Sequence, residues 1–145
     1  MSGDTARARE AFAGPIARME ALRDSFPDVS RRHQFLALHY AGAGRADEAL
    51  LEARRARAIA LDVADMWSGV PQAEETLLQV HIAVGNVTQA VDILEEQASA
   101  SMPSRVLSAR MRTDPLLDPI RDDTAFQRLL ERLEAVTPPA PPPVS

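Results

Sequence analysis

Apolar residues recur at three- and four-residue intervals along most of the chain, the spacing that gathers side chains on one face of an α-helix. Residues 4–13 are expected to be helical, with Asp4 or Thr5 as N-cap. Gly14-Pro15 is expected to interrupt them, with Pro15 opening a new helix where its missing N–H costs nothing. Ile16, Met19 and Leu22 then recur at helical spacing, flanked by Phe12 and Phe26. That helix should stop near Ser25, since Pro27 disfavours helical geometry at Phe26. Asp28 or Ser30 would cap the next one.

Residues 30–43 form a helix with Phe35, Leu36, Leu38 and Tyr40 as its apolar face, ended by the positive φ that Gly44 allows. Ala49, Leu50, Ala53, Ala56, Ile59, Ala60, Val63, Met66 and Trp67 continue as one stripe, so the following helix is expected to run unbroken to residue 68. Gly69 reads as its stop and Pro71 as the next start. Residues 71–84 carry Leu77, Leu78, His81 and Ile82 inward or flanking. Gly85-Asn86 turns the chain, and residues 87–101 place Ala90, Val91, Leu94 and Ala98 on one face, up to Pro103. Ser104 should cap a short helix, and the steps Asp114-Pro115 and Asp118-Pro119 should each start a helical turn. Residues 124–136 carry Phe126, Leu129, Leu130 and Leu133 on a single face. PPAPPPVS follows, an extended polyproline-like tail with nothing to bury.

Two of these segments repeat. Each has an apolar helix, a Gly turn and a second helix, and Leu36 aligns with Leu77, Tyr40 with His81, Gly44 with Gly85, Ala49 with Ala90 and Ala53 with Leu94. Leu, an aromatic, Gly and then Ala along a helical hairpin resembles the tetratricopeptide repeat (TPR). The spacing here exceeds the ~34-residue period of that repeat, which the long helix after Gly44 accounts for. His33 and Glu74 stand where the repeat has its early Trp, and the first unit lacks the terminal Pro. The segment RMRTDPLLDPIRDDTAFQRLLERL, from Arg110 to Leu133, looks like the ending of TPR regions in bacterial multidomain signalling proteins. Such regions often follow a kinase, a cyclase or a winged-helix regulator, a parentage implied by the resemblance alone. The expected fold is all-α, an antiparallel array of TPR-like hairpins with a C-terminal capping helix. Residues 1–29 would form an N-terminal cap, 30–103 two hairpins, 104–136 capping helices and 137–145 a disordered Pro-rich tail. A two-hairpin array needs such covers, because stacked repeats bury their faces on one another.

Composition narrows the function. Aromatics are 4% of the chain, so the core must be Ala, Leu, Val, Ile and Met, which suits close helix packing. The net charge is −5, and the 16 Lys-or-Arg positions are all Arg. An acidic chain without a clustered positive patch is a poor nucleic-acid binder. Without Cys there is no thiolate chemistry, no disulfide framework and no Cys-based zinc site. No run approaches a membrane span and none reads as a signal peptide, so a cytoplasmic address is expected.

The chemistry-bearing residues weigh against an enzyme, a metal site or a cofactor. His33, His39 and His81 lack metal-ligand spacing, and His81 stands where the repeat wants a core aromatic. Arg54, Arg55 and Arg57 form the densest basic run, with Asp47, Glu48 and Glu52 within reach to neutralise it. Asp114, Asp118, Asp122 and Asp123 have Pro where a calcium loop needs Gly, and read as caps. The resemblance implies a groove along the first helix of each hairpin, lined by Arg31, Gln34, Leu38 and Ala41, then Gln72, Glu75, Gln79 and Ile82. Only Arg31 would serve a carboxylate clamp there. Met66 and Trp67 would cover the hairpin junction or self-associate. The expected function is a non-enzymatic protein–protein interaction module, a scaffold or regulatory part that binds a protein or peptide. Homo-oligomerisation and small-ligand sensing are the alternatives.

Overall fold

The structure, a computed structural model, describes residues 2–63, 69–100 and 103–136. Among these there are helices and no strand. The α-helices are α1 (Ser2–Ser25), α2 (Ser30–Gly42), α3 (Ala46–Asp62), α4 (Gly69–Ala83), α5 (Val87–Ala100), α6 (Ser104–Thr113) and α7 (Thr124–Val136), with a 3-10 helix at Pro115–Ile120. The chain is therefore all-helical, as its periodicity requires. It divides into two compact units, Met1–Asn86 and Val87–Ser145, at the turn between α4 and α5.

In the first unit α2 packs against α1, α3 and α4, and α3 packs against α4. Ile16 of α1, Leu36, Ala37 and Tyr40 of α2, Ala49 and Ala53 of α3 and Val80 of α4 share one buried cluster. A second cluster of Ala56, Ala60, Val70 and Ala73 joins α3 to α4. Four fully buried alanines, Ala49, Ala53, Ala56 and Ala60, line the inner face of α3. With only a methyl group at each of these positions, neighbouring backbones can come close, which offsets the scarcity of aromatic bulk.

Several boundaries differ from the expected ones. α1 is continuous, and Pro15 lies inside it. An interior Pro forfeits one backbone hydrogen bond and costs about 3 kcal/mol. Phe12, Ile16 and Met19 oppose that cost by packing on α2 from both sides of the Pro. α3 ends at Asp62, with Val63 exposed, so the apolar stripe is shorter than expected; Met66 and Trp67 lie outside the described residues. α4 begins at Gly69 rather than Pro71, which falls in its first turn, where no N–H partner is needed. Ser30 does not cap α2. Its hydroxyl donates instead to the Ala56 carbonyl across the hairpin, at 2.7 Å.

The turns after α2 and α4 are alike. Gly44 has φ +72° and Gly85 +79°. Arg45 N–H donates to Tyr40 O and Asn86 N–H to His81 O, both at 2.8 Å, while each Gly N–H donates to the carbonyl three residues back. This is the Schellman ending, which needs a left-handed residue at the turn. A second Gly acts by its size: a Cβ on Gly42 would stand 2.7 Å from the Phe12 ring, so its absence lets α1 lie close along α2.

In the second unit α7 packs on α5 and α6. Ala90, Val91, Leu94, Leu107, Met111, Leu117, Ile120, Phe126, Leu129 and Leu133 are buried. Asp114 caps the 3-10 helix by accepting from Leu116 N–H at 3.0 Å, and Asp123 caps α7 by accepting from Ala125 and Phe126 N–H. Two expected caps are not made. Pro103 precedes α6 as its cap residue, with Ser104 already helical, and Asp118 lies within a single 3-10 helix, paired with Arg121 at 2.7 Å.

Candidate partner-binding face

α2 is covered by α3 on its inner side, by α4 on one flank and by α1 on the other. What remains open is the stripe Arg31, Phe35 and Leu38, at the i, i+4, i+7 spacing of one helix face. Phe35 is 42% exposed and Leu38 36%. Phe35 is therefore a surface residue, although it belongs to the apolar face of the helix. The Arg31 guanidinium lies over its ring, 5.5 Å from the centroid.

The expected groove residues divide accordingly. Arg31, Leu38 and Gln72 are exposed, Glu75 and Gln79 half-buried. Gln34 and Ile82 are buried, at 8% and 7% exposure, and cannot line a groove. Gln34 turns toward α4: its amide accepts from the Thr76 hydroxyl at 3.5 Å and donates to Ser30 Oγ at 3.1 Å. One position on a helix is 100° of rotation, enough to move Gln34 from the open face into the α2–α4 contact.

An open cleft of about 550 Å³ lies between α1 and α2, lined by Gly14, Pro15, Arg18, Met19, Leu22 and His39. That size falls within the usual range for ligand sites. Two contacts fix the antiparallel register of its walls. Arg32 Nη1 donates to Leu22 O at 2.8 Å, and the Phe12 and His39 rings meet edge-on at 5.9 Å. His39 Nδ1 donates to Phe35 O at 2.7 Å, so the cleft adjoins the exposed stripe of α2. Leu22, of the helical apolar spacing, and the flanking Phe26 are 38% and 53% exposed. The Arg32 guanidinium lies over the Phe26 ring at 4.0 Å.

A buried polar network stands behind this face. His33 Nδ1 lies 2.5 Å from Glu52 Oε2, and His33 Nε2 lies 2.8 Å from Pro27 O. A carbonyl oxygen only accepts, so Nε2 carries a hydrogen; satisfying Nδ1 as well requires a proton between it and the carboxylate. Glu52 Oε1 accepts from Arg23 Nη1 at 2.7 Å. Glu52 thus ties α1, α2 and the turn between them to α3. A cavity of about 310 Å³ adjoins it, lined by Arg23, Asp24, Pro27, His33, Leu51, Glu52 and Arg55. These residues are scattered along the chain, and no local pattern announces them.

The remaining candidates are structural. His81 is buried, its Nδ1 has no hydrogen-bond partner, and burial together with the Arg54 charge lowers its pKa. Two of the three carboxylates expected to neutralise the basic run are engaged elsewhere. Glu48 pairs with Arg45 and Glu52 with Arg23, while Arg57 reaches Glu74 at 3.4 Å. Among the described residues no cluster of His, Asp and Glu could hold a metal, and no helix is long and apolar enough to cross a membrane. Compared with family models, curated proteins and solved structures, the chain matches none.

Proposed function

We propose that this chain is a non-enzymatic protein-interaction module, a scaffold or regulatory part of a larger signalling assembly, that holds a partner polypeptide on the open side of α2. The reading rests on one observation above all: Phe35 and Leu38 stay in water on a helix whose other sides are covered. Exposed large apolar groups on a rigid element are the usual material of a docking surface. Arg31, Gln72 and Gln79 add donors and acceptors beside them, as peptide recognition by helical surfaces requires. Capture of binding proteins from the native cell lysate tests this. Full-length chain should retain a partner that the Phe35→Ala/Leu38→Ala double variant loses while its thermal melting is unchanged. Equal capture by both proteins would end the reading.

A second reading, a small-ligand sensor, is favoured by the cavity beside Glu52 and His33, which has room for a metabolite. A metabolite that raises the melting temperature of the wild type and not of an Arg55→Ala variant would select it.

A further inference from the structure

The cleft between α1 and α2 has an apolar floor and a cationic rim. Pro15, Met19 and Leu22 of α1 supply the floor; Phe35 lies outside the cleft, exposed on α2 one helical turn before the lining residue His39. Arg18 lines the cleft itself, and Arg31 stands over Phe35. The register set by Arg32–Leu22 at one end and Phe12–His39 at the other places Arg18 level with the middle of α2. Two carboxylates of α1 are held by other partners. Glu20 accepts from the Tyr40 hydroxyl at 2.5 Å, and Asp24 pairs with Arg23 at 2.9 Å. Among the described residues neither Arg18 nor Arg31 meets a carboxylate. In a chain of net charge −5, Arg18 and Arg31 thus stand on the open side of α1 and α2 as guanidiniums outside any ion pair.

We propose that this cleft and the exposed stripe of α2 beside it bind an acidic amphipathic segment of a partner protein, with apolar side chains on Met19, Leu22 and Phe35 and carboxylates at Arg18 and Arg31. The proposal rests on the interaction reading above and adds the chemistry of the partner. Charge complementarity selects the occupant: an acidic strip opposite two guanidiniums is attracted, and a basic one is repelled. The floor takes the apolar stripe that a helical segment presents at i, i+3, i+4 and i+7.

The test is fluorescence anisotropy with the full-length chain and three labelled synthetic peptides. All share one Leu pattern at helical spacing, with Glu, Gln or Lys between. The Glu peptide should bind at least about tenfold more tightly than the Lys peptide at low salt, and added salt should narrow that gap. The Arg18→Glu/Arg31→Glu variant, folded by circular dichroism, should reverse the order. Equal affinity for the Glu and Lys peptides would overturn the proposal, as would a preference that survives the charge reversal. No binding of any peptide would also overturn it; lysate capture lost with Phe35→Ala/Leu38→Ala would then show that the interaction reading stands without it.

Discussion

Glu52 Oε2 lies 2.5 Å from His33 Nδ1, while the other oxygen of the same carboxylate accepts from Arg23. One buried side chain on α3 therefore fastens α2 and the end of α1, the two walls of the candidate cleft. Removing it would leave His33 buried without its partner. Glu52→Ala should cost about 3–5 kcal/mol of stability, the range for breaking a buried charge pair. Arg23→Ala should cost less, since its side chain is 26% exposed and water can replace the contact. Urea unfolding of the two variants checks the order.

The turn glycines make a second prediction. Gly44 and Gly85 both lie in the left-handed region, with nothing near where a Cβ would stand. The penalty for Ala there is conformational rather than steric. Gly44→Ala and Gly85→Ala should each lose about 1–2 kcal/mol. Gly14→Ala, on exposed helix, should gain up to about 1 kcal/mol. Thermal melting distinguishes the signs.

His81 gives a pH dependence. Its pKa is lowered from 6.5, chiefly by burial and further by Arg54. A group with a depressed folded pKa binds its proton more readily in the unfolded chain. Its contribution is present above pH 6.5 and is lost as pH falls from there toward the folded pKa. Unfolding midpoints measured downward from neutral pH should fall in the wild type and fall less in His81→Leu, which carries no titrating group at that position.

The second unit depends on its last helix. Phe126, Leu129 and Leu133 are buried on α7, and each such side chain contributes roughly 1.5–3 kcal/mol. Their sum is comparable with the whole margin of a small unit. A chain ending at Arg112 should lose cooperative unfolding of residues 87–112, seen as amide exchange without protection there. Protection equal to that of the full chain would refute this.

Much of the fold was legible in the residue order. Helical spacing gave the helices, Gly44 and Gly85 gave the turns, and Asp114 gave a cap, because each depends on backbone geometry within a few positions. The failures share a cause. Pro15 reads locally as a break, yet packing on both sides of it carries α1 through. Phe35 belongs to the apolar face yet stays exposed, while Gln34 and Ile82, assigned to a groove by the resemblance, are buried, because a helix's pattern does not say which neighbours will cover it.

The sequence by itself determined an all-helical chain with two like turns, an alanine-rich interior and an acidic surface without metal-ligand spacing, since these follow from local backbone preference and composition. Only the tertiary structure decided which face of α2 stays open, that α1 completes a cleft beside it, and that Arg23, His33 and Glu52 meet. Those outcomes depend on how far each helix rotates against its neighbours. That rotation is set by packing among residues far apart in the chain.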